Sequence, residues 1–205
     1  MTMPDADGTP PAPMDWDARF RANDAPWERK GLHPAFVHWQ SLGLLQAGKS
    51  IYVPGCGRGE EPLALAKAGL HVTAIDLSAT AINWQKARFA DAGLSAHLEA
   101  GDALAFRPET PFDLYWEQTF LCAISPKLRE EYEAAAHAQL RPGGLLLALF
   151  MQKDEMGGPP YGCALSAMRE LFHDSRWQWP EDEPTAFPHP GLNAKTELGV
   201  ALVRR

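Results

Sequence analysis

The chain has 205 residues, a hydrophobic fraction of 45% and a formal net charge of -7 at pH 7. This length and composition predict one globular domain with a sizeable apolar core. The acidic balance and the lack of a Lys/Arg cluster argue against a nucleic-acid partner, and no apolar run is long enough to span a membrane.

The N-terminus, residues 1–13, is rich in proline and carries Asp5 and Asp7. It lacks the basic start and the apolar core of a secretory signal, so we expect a flexible tail here and one domain over residues 14–205.

The three cysteines form no CxxC pair, which is typical of reduced thiols in the cytoplasm. The scattered histidines have no metal-ligand spacing, so we predict no metal, and we expect a monomer.

Strand and helix patterns alternate through the middle of the chain. The predicted strands are 51–53, 71–75, 96–100, 112–116 and 145–151. The predicted helices are 60–68, 78–91 and one that opens at Ser125. This alternation predicts an α/β fold, a mostly parallel sheet with helices on both faces.

The pattern is looser after residue 151. Residues 165–172 fit one helix, and 177–179 and 198–203 fit two last strands, antiparallel at one edge of the sheet. Arg141–Gly144 is expected to form a turn. The proline-rich stretch 180–196 receives no assignment.

A glycine loop, "VPGCGRG", follows the first strand. Gly55, Gly57 and Gly59 leave backbone N–H groups open to an anionic group. The dinucleotide fingerprint would need glycine where Glu60 stands, and no Gly-Lys-Ser/Thr of a P-loop follows. The loop therefore suits a ligand that has a small anionic group and no phosphates.

Two aspartates end the next two strands. Asp76, about 20 residues beyond the glycines, is suited to accept hydrogen bonds from ribose hydroxyls, and Asp102 is suited to contact an adenine edge. Taken singly, Asp76 has an alternative role as a helix cap and Asp102 as a turn residue. Together with the loop, they indicate a nucleoside with an amino-acid tail, which is S-adenosylmethionine.

Further segments carry a resemblance to a known family. They read "AIDLS", "GD", "EQTFLCAISPKLREEY", "LRPGG" and "GGPPY", with "WDARF" and "PWE" upstream and "KTELG" downstream. The chain resembles the thiopurine S-methyltransferase superfamily over residues 14–200, and within it most closely the halide/thiol methyltransferases of the harmless-to-ozone-layer type. The resemblance implies a class I methyltransferase, a Rossmann-like sandwich with a seven-stranded sheet, and an N-terminal lid over about residues 14–45.

The resemblance also implies a set of cofactor-binding residues. Aromatic residues of the lid close over S-adenosylmethionine, the loop and the strand ends hold it, and Gln118 lies near the transferred methyl group. The predicted residues are Trp16, Phe20, Trp27, Gly55, Gly57, Asp76, Leu77, Asp102, Ala103 and Gln118. Phe20 replaces a tryptophan of the relatives, and Gln118 replaces a tyrosine or an arginine, which leaves the acceptor open.

In-line methyl transfer to a soft nucleophile needs alignment and removal of water more than it needs a catalytic residue. Glu117 and Tyr161 are the candidates for a direct role; the alternatives are that Glu117 only orients its loop and that Tyr161 belongs to a surface turn. We predict transfer to a small thiol, thiocyanate or halide. A thiopurine or metalloid acceptor, a non-catalytic cofactor-binding protein and a nicotinamide-dependent oxidoreductase are the alternatives.

Overall fold

The computed structural model describes residues 14–189 and 195–205, so the predicted tail at 1–13 lies outside the described residues. The described helices are α1 Trp16–Arg21, α2 Pro34–Ser41, α3 Glu61–Lys67, α4 Ala79–Asp91, α5 Arg129–Gln139 and α6 Leu165–Leu171, with a 3₁₀ turn at Pro126–Leu128 before α5. The described strands are β1 Ser50–Pro54, β2 His71–Asp76, β3 His97–Ala100, β4 Phe112–Gln118, β5 Leu140–Met151, β6 Trp177–Gln178, β7 Thr185–His189 and β8 Lys195–Arg204.

These strands form one mixed sheet in the order β3-β2-β1-β4-β5-β8-β6, with β7 also paired to β8. Strands β1 to β5 are mutually parallel, and β8 runs antiparallel to β5. The predicted mostly parallel α/β sheet is confirmed. The predicted count of seven strands is corrected to eight in the described residues.

The additional strand is β7, in the proline-rich stretch that the sequence left unassigned. β7 pairs with residues 195–199 of β8, and β6 pairs with residues 203–204, so the two short strands cover opposite ends of the same edge. Pro188 lies inside β7, and proline within a strand is tolerated at such an edge because its missing N–H is not needed there. The proline content of this stretch is therefore the reason that the edge strand β7 was not predicted from the sequence.

The predicted turn at Arg141–Gly144 is wrong, because the structure continues β5 through it. The pairing of β4 with β5 shifts register between Phe112 and Leu114, and Gly143 takes a positive φ of 74°. Arg141 Nε donates to Asp113 Oδ1 at 2.8 Å and holds this irregular section against β4. The segment is a bulged strand start, which resembles a turn in sequence.

Helices cover both faces of the sheet, as predicted. On one face, Phe36 and Trp39 of α2 pack with Leu65 of α3 and Ile82 of α4. On the other face, α5 and α6 pack against a cluster that includes the buried ring of Tyr52. α4 begins where the sequence predicted, since Ser78 accepts the N–H of Ala81 as its N-cap.

The part of the chain that the structure describes contains no helix with the length and apolar character needed to cross a membrane.

Candidate active site

A cavity of about 440 Å³ opens at the carboxyl ends of the parallel strands. β1, β2 and β4 each deliver their last residues to it, because parallel strands end on the same edge of the sheet. All ten predicted cofactor residues line this cavity: Trp16, Phe20, Trp27, Gly55, Gly57, Asp76, Leu77, Asp102, Ala103 and Gln118. Their predicted contacts with the cofactor itself remain predictions.

The glycine loop is held tightly between two aromatic rings. Gly55 has a φ of 56°, and a Cβ at this position would overlap the ring of Phe120. Gly57 has a φ of 48°, and a Cβ there would lie 3.2 Å from Cζ of Phe20. Glycine is needed at both positions because of the positive φ and because of the lack of space.

Asp76 connects the loop to the start of α4. Its Oδ2 accepts the Gly57 N–H and its Oδ1 accepts the Ser78 N–H, both at 2.8 Å. Burial raises the pKa of this carboxyl group, and the two backbone N–H groups oppose the rise. Each carboxylate oxygen retains a second lone pair, so the helix-capping role and a ribose-binding role are compatible.

The N-terminal segment, residues 14–33, covers the cavity with α1 and the loop that follows it. Asp17 Oδ1 accepts from Ser78 Oγ at 2.6 Å and from the Thr80 N–H at 2.9 Å, which docks α1 on the start of α4. These hydrogen bonds lower the pKa of Asp17 to about 2. The predicted lid extended to about residue 45. Helix α2 lies within that range, but it packs Phe36 and Trp39 into the core of the domain instead of over the cavity.

A bidentate ion pair fixes the other end of this segment. Arg58, in the glycine loop, donates to both carboxylate oxygens of Glu28 at 2.7 and 2.8 Å, and also to Asn23 Oδ1 at 2.9 Å. The N-terminal segment is thus hydrogen-bonded to the elements that form the base of the cavity.

The three predicted aromatic residues of the segment form one cluster. Trp27 meets Trp16 and Phe20 in edge-to-face contacts, with ring centroids 5.4 and 5.8 Å apart. The guanidinium groups of Arg19 and Arg58 lie 4.5 Å from the Trp27 ring centroid and 5.4 Å from that of Phe20. Two of these rings therefore already contact a cation of the protein itself.

Glu117 and Tyr161, the candidates for a direct role, are not among the residues that line the cavity. Glu117 Oε1 accepts the N–H groups of Phe120 and Leu121, and Oε2 accepts the Tyr132 hydroxyl at 2.7 Å. Burial raises the pKa of Glu117 to about 7. These hydrogen bonds favour the second role that the sequence suggested for Glu117, which is to orient its own loop, and that role remains a prediction.

The prolines beside Tyr161 reach the cavity instead, since Pro159 and Pro160 line it. The Tyr161 N–H donates to the Cys122 carbonyl at 2.7 Å, which ties the "GGPPY" loop to the segment after β4.

Gln118 points its amide in a defined direction. Trp116 Nε1 donates to Gln118 Oε1 at 2.9 Å, so the amide oxygen is engaged and the NH₂ group is directed elsewhere. The next residue, Thr119, has a φ of 60°, which costs a non-glycine residue roughly 1 kcal/mol or more. The strained backbone directly beside the cavity is a feature that the sequence did not predict.

A buried charged network beneath the N-terminal segment was also missed. Glu197 Oε2 accepts from Arg29 Nη2 at 3.0 Å and pairs with His33 Nε2 at 3.1 Å. His33 Nδ1 accepts the Ala35 N–H, so Nε2 is the ring nitrogen that is left to donate to Glu197. The partners lie 164 and 168 positions apart in sequence, and no local pattern predicts such contacts.

Glu61 is the other functional candidate that sequence reasoning missed. It is only 4% exposed, it lines the cavity, and its Oε1 accepts the His33 N–H at 2.9 Å. Within residues 14–189 and 195–205, no group of three or more His, Cys, Asp or Glu side chains is arranged to hold a metal ion.

Comparison with known proteins identifies the family. The model of the thiopurine S-methyltransferase family matches residues 12–194. Probable thiol methyltransferase 2 of Arabidopsis thaliana is 32% identical over 160 residues, which are 77% of this chain and 70% of the relative. Thiocyanate methyltransferase 1 of the same plant is 27% identical over 187 residues, 90% of this chain and 82% of the relative.

A solved structure shares the fold. The Burkholderia thailandensis 1,6-didemethyltoxoflavin-N1-methyltransferase, crystallised with S-adenosylhomocysteine, superposes with a TM-score of 0.68 at 19% identity, over 95% of this chain and 92% of that one. The predicted class I methyltransferase fold and the predicted resemblance are both confirmed. The chain belongs to the thiopurine S-methyltransferase family and is an S-adenosylmethionine-dependent methyltransferase.

Proposed function

We propose that the enzyme transfers the methyl group of S-adenosylmethionine to a small soft nucleophile, a thiol first of all. The observation that carries this proposal is that the glycine loop, both strand-end aspartates and Gln118 line one cavity at the carboxyl edge of the sheet. A nucleoside fits across Asp76 and Asp102, and its amino-acid tail then extends along the loop toward Gln118.

The adenine end of this arrangement has an apolar surface. Leu77 is 62% exposed although it follows a buried strand, and it lines the cavity beside Asp76. An exposed leucine at a cavity wall gains by covering the flat face of a base. Leu104 N–H donates to Asp102 Oδ1, which holds the second aspartate at the same end.

The remaining wall is suited to a soft, weakly hydrated acceptor. Phe120, Cys122, Ile124, Pro159 and Pro160 contribute apolar surface there. A thiol reacts as its thiolate after it releases its proton to solvent, and the apolar wall removes water from that thiolate, which is already a good nucleophile and needs only alignment with the sulfonium. The names of the relatives, thiol and thiocyanate methyltransferase, support the same class of acceptor.

The charges around the cavity favour a thiol over a free anion. The three arginines that line it are already paired, Arg19 with Asp24, Arg29 with Glu197 and Arg58 with Glu28. An anionic acceptor would therefore find no uncompensated cation among these side chains. A thiol can enter the cavity neutral and release its proton to solvent before transfer, whereas thiocyanate and iodide must enter as anions, so we infer that apolar thiols react faster than either.

A headspace assay tests the proposal. Enzyme and S-adenosylmethionine are mixed with small thiols, thiocyanate, iodide or a thiopurine, and the methylated products and S-adenosylhomocysteine are quantified. We expect methylated thiol as the main product. If S-adenosylmethionine binds but no acceptor of the panel is methylated, the assignment of a soft nucleophile is wrong; if only the thiopurine reacts, the acceptor is the one named by the family.

A further inference from the structure

We propose that the carboxylate of Glu61 receives the α-ammonium group of the cofactor's methionine tail. This inference rests on the proposed placement of S-adenosylmethionine in the cavity and adds a residue that neither the sequence motifs nor the family resemblance assigned. It follows from the burial of Glu61, from its lack of a cationic partner and from its position beside the glycine loop.

Glu61 is a buried carboxylate without an ion-pair partner. It is 4% exposed, and none of the ion pairs among the described residues includes it. The three arginines that line the cavity are paired with other acids. A buried carboxylate that lacks a cation is costly, so a ligand that brings one is bound more tightly.

One oxygen of this carboxylate remains available. Oε1 accepts the His33 N–H, whereas Oε2 has no partner among the hydrogen bonds of the described residues. Oε2 lies against the glycine loop, since a Cβ on Gly59 would be 2.7 Å from it. Glu61 and Gly59 both line the cavity, so this oxygen lies beside the section of the loop along which the tail is placed.

The neighbouring amide supplies the complementary group. Gln118 lines the same cavity as Glu61; burial raises the pKa of Glu61, and the His33 N–H and the Gln118 side chain are among the groups that oppose the rise. The amide oxygen of Gln118 is already engaged by Trp116, so its NH₂ group is the part of the side chain that is left to donate. A carboxylate beside an amide donor matches an α-amino acid, whose ammonium donates and whose carboxylate accepts.

S-adenosylmethionine carries two cations, and hydrogen bonding separates them. The sulfonium has no N–H, so its attraction to a carboxylate is undirected, whereas the ammonium presents three donors. Position favours the ammonium, because Oε2 lies at Gly59 in the loop that follows β1, where the amino-acid tail is placed.

Calorimetry with three ligands tests the proposal. S-adenosylhomocysteine keeps the ammonium and lacks the sulfonium, and its deamino analogue lacks both but keeps the carboxylate. For the wild-type enzyme, removal of the amino group is expected to weaken binding about 10- to 100-fold, the range for a hydrogen bond to a charged group. For Glu61→Gln, S-adenosylhomocysteine loses affinity to a similar extent, and the deamino analogue binds about as it does to the wild type.

Glu60→Gln is the matched control. Glu60 precedes Glu61 in the chain and is paired with Arg88, so its substitution removes a carboxylate nearby without touching the proposed contact. We expect this variant to keep the wild-type preference for the ligand with the amino group. Gln at position 61 can still accept the His33 N–H, so the variant is expected to fold; if it does not, a wild-type enzyme that binds S-adenosylhomocysteine and its deamino analogue equally would still overturn the inference.

Two results would overturn the inference. If Glu61→Gln lost the same affinity for S-adenosylhomocysteine and for its deamino analogue, Glu61 would have a structural role only. If Glu61→Gln lost affinity for S-adenosylmethionine but not for S-adenosylhomocysteine, the carboxylate would interact with the sulfonium and not with the ammonium. A wild-type enzyme that binds none of the three ligands would instead contradict the proposed function.

Discussion

Gly55 is the position in the cavity where a single methyl group has the least room. Its positive φ and the Phe120 ring both oppose a side chain, so Gly55→Ala is expected to destabilise the domain by more than about 2 kcal/mol. The displaced ring would also narrow the cavity and weaken S-adenosylhomocysteine binding. Urea unfolding and calorimetry measure the two effects.

Gly93→Ala separates backbone strain from steric overlap. Gly93 has a comparable φ of 65°, but a Cβ there meets nothing within 4 Å. We expect a loss of about 1 kcal/mol and unchanged ligand affinity, which is the cost of the left-handed conformation alone. If both variants lose the same stability, contact with Phe120 contributes nothing.

Asp76 is the side chain on which cofactor binding is expected to depend most. Asp76→Ala removes the proposed ribose acceptor and leaves the Gly57 and Ser78 N–H groups without their partner. We expect S-adenosylhomocysteine affinity to fall at least about tenfold in calorimetry. Asp76→Asn keeps one acceptor oxygen and should lose less; unchanged affinity in the alanine variant would refute the assignment.

The sequence predicted those side chains whose position follows from the strand ends. Asp76 and Asp102 could be placed because each comes directly after a strand of a parallel sheet. Glu61 could not be recognised in the same way, because its significance comes from burial and from the missing partner, which are properties of the folded chain. Leu77 was predicted from the family resemblance, and its exposure in the folded chain is what suits it to cover an adenine base.

Helix α1 is too short to be stable by itself, so its position depends on its contacts with α4. Asp17 provides the main polar contact, through Ser78 and Thr80. Because Ser78 also donates its N–H to Asp76, the contact joins the N-terminal segment to the ribose site. We infer that docking of α1 and cofactor binding favour each other.

Asp17→Ala tests this coupling. We expect trypsin to cleave more rapidly after Arg21, weaker protection by S-adenosylhomocysteine, and roughly 3- to 10-fold lower affinity for it. Asp24→Ala is the control, since Asp24 lies in the same segment and pairs only with the Arg19 side chain. Protection equal to that of the wild type would show that α1 docks without Asp17.

The contact of Asp17 has a defined pH range. Its pKa in the folded protein, about 2, is below the ordinary value of 3.8, so docking favours the ionised form. The stabilisation is therefore complete above about pH 4 and is lost as the pH falls toward 2. Resistance of α1 to an acid-stable protease should be constant from pH 7 to about 4.5 and should fall as the pH is lowered from about 4 toward 2.

Elements with strong local signals were predicted with nearly correct bounds. Ser78 and Gly93 bracket α4, and the apolar run that ends at Met151 forms most of β5. β7 could not be assigned, because its prolines oppose a strand and only pairing with β8 stabilises it. The bulged start of β5 was misread for a similar reason, since its glycines indicate a turn unless β4 lies alongside.

The stability of the whole domain should depend on the protonation of Glu117, which is buried between the sheet and α5. Its pKa in the folded protein is about 7, against an ordinary value of 4.5, so the folded state binds more protons than the unfolded state between these two values. Stability from this group is therefore highest below about pH 4.5 and falls as the pH rises through 7, by roughly 3 kcal/mol in total.

Glu117→Gln removes this titration with little change in shape. The amide oxygen can accept the N–H groups of Phe120 and Leu121, and the NH₂ group can donate to the Tyr132 hydroxyl. Urea unfolding from pH 5 to 8.5 should show the wild type losing stability relative to the variant, which becomes the more stable protein at the alkaline end. Other buried acids titrate in both proteins and cancel in the difference, so parallel curves would mean that Glu117 ionises in the folded protein at an ordinary pKa.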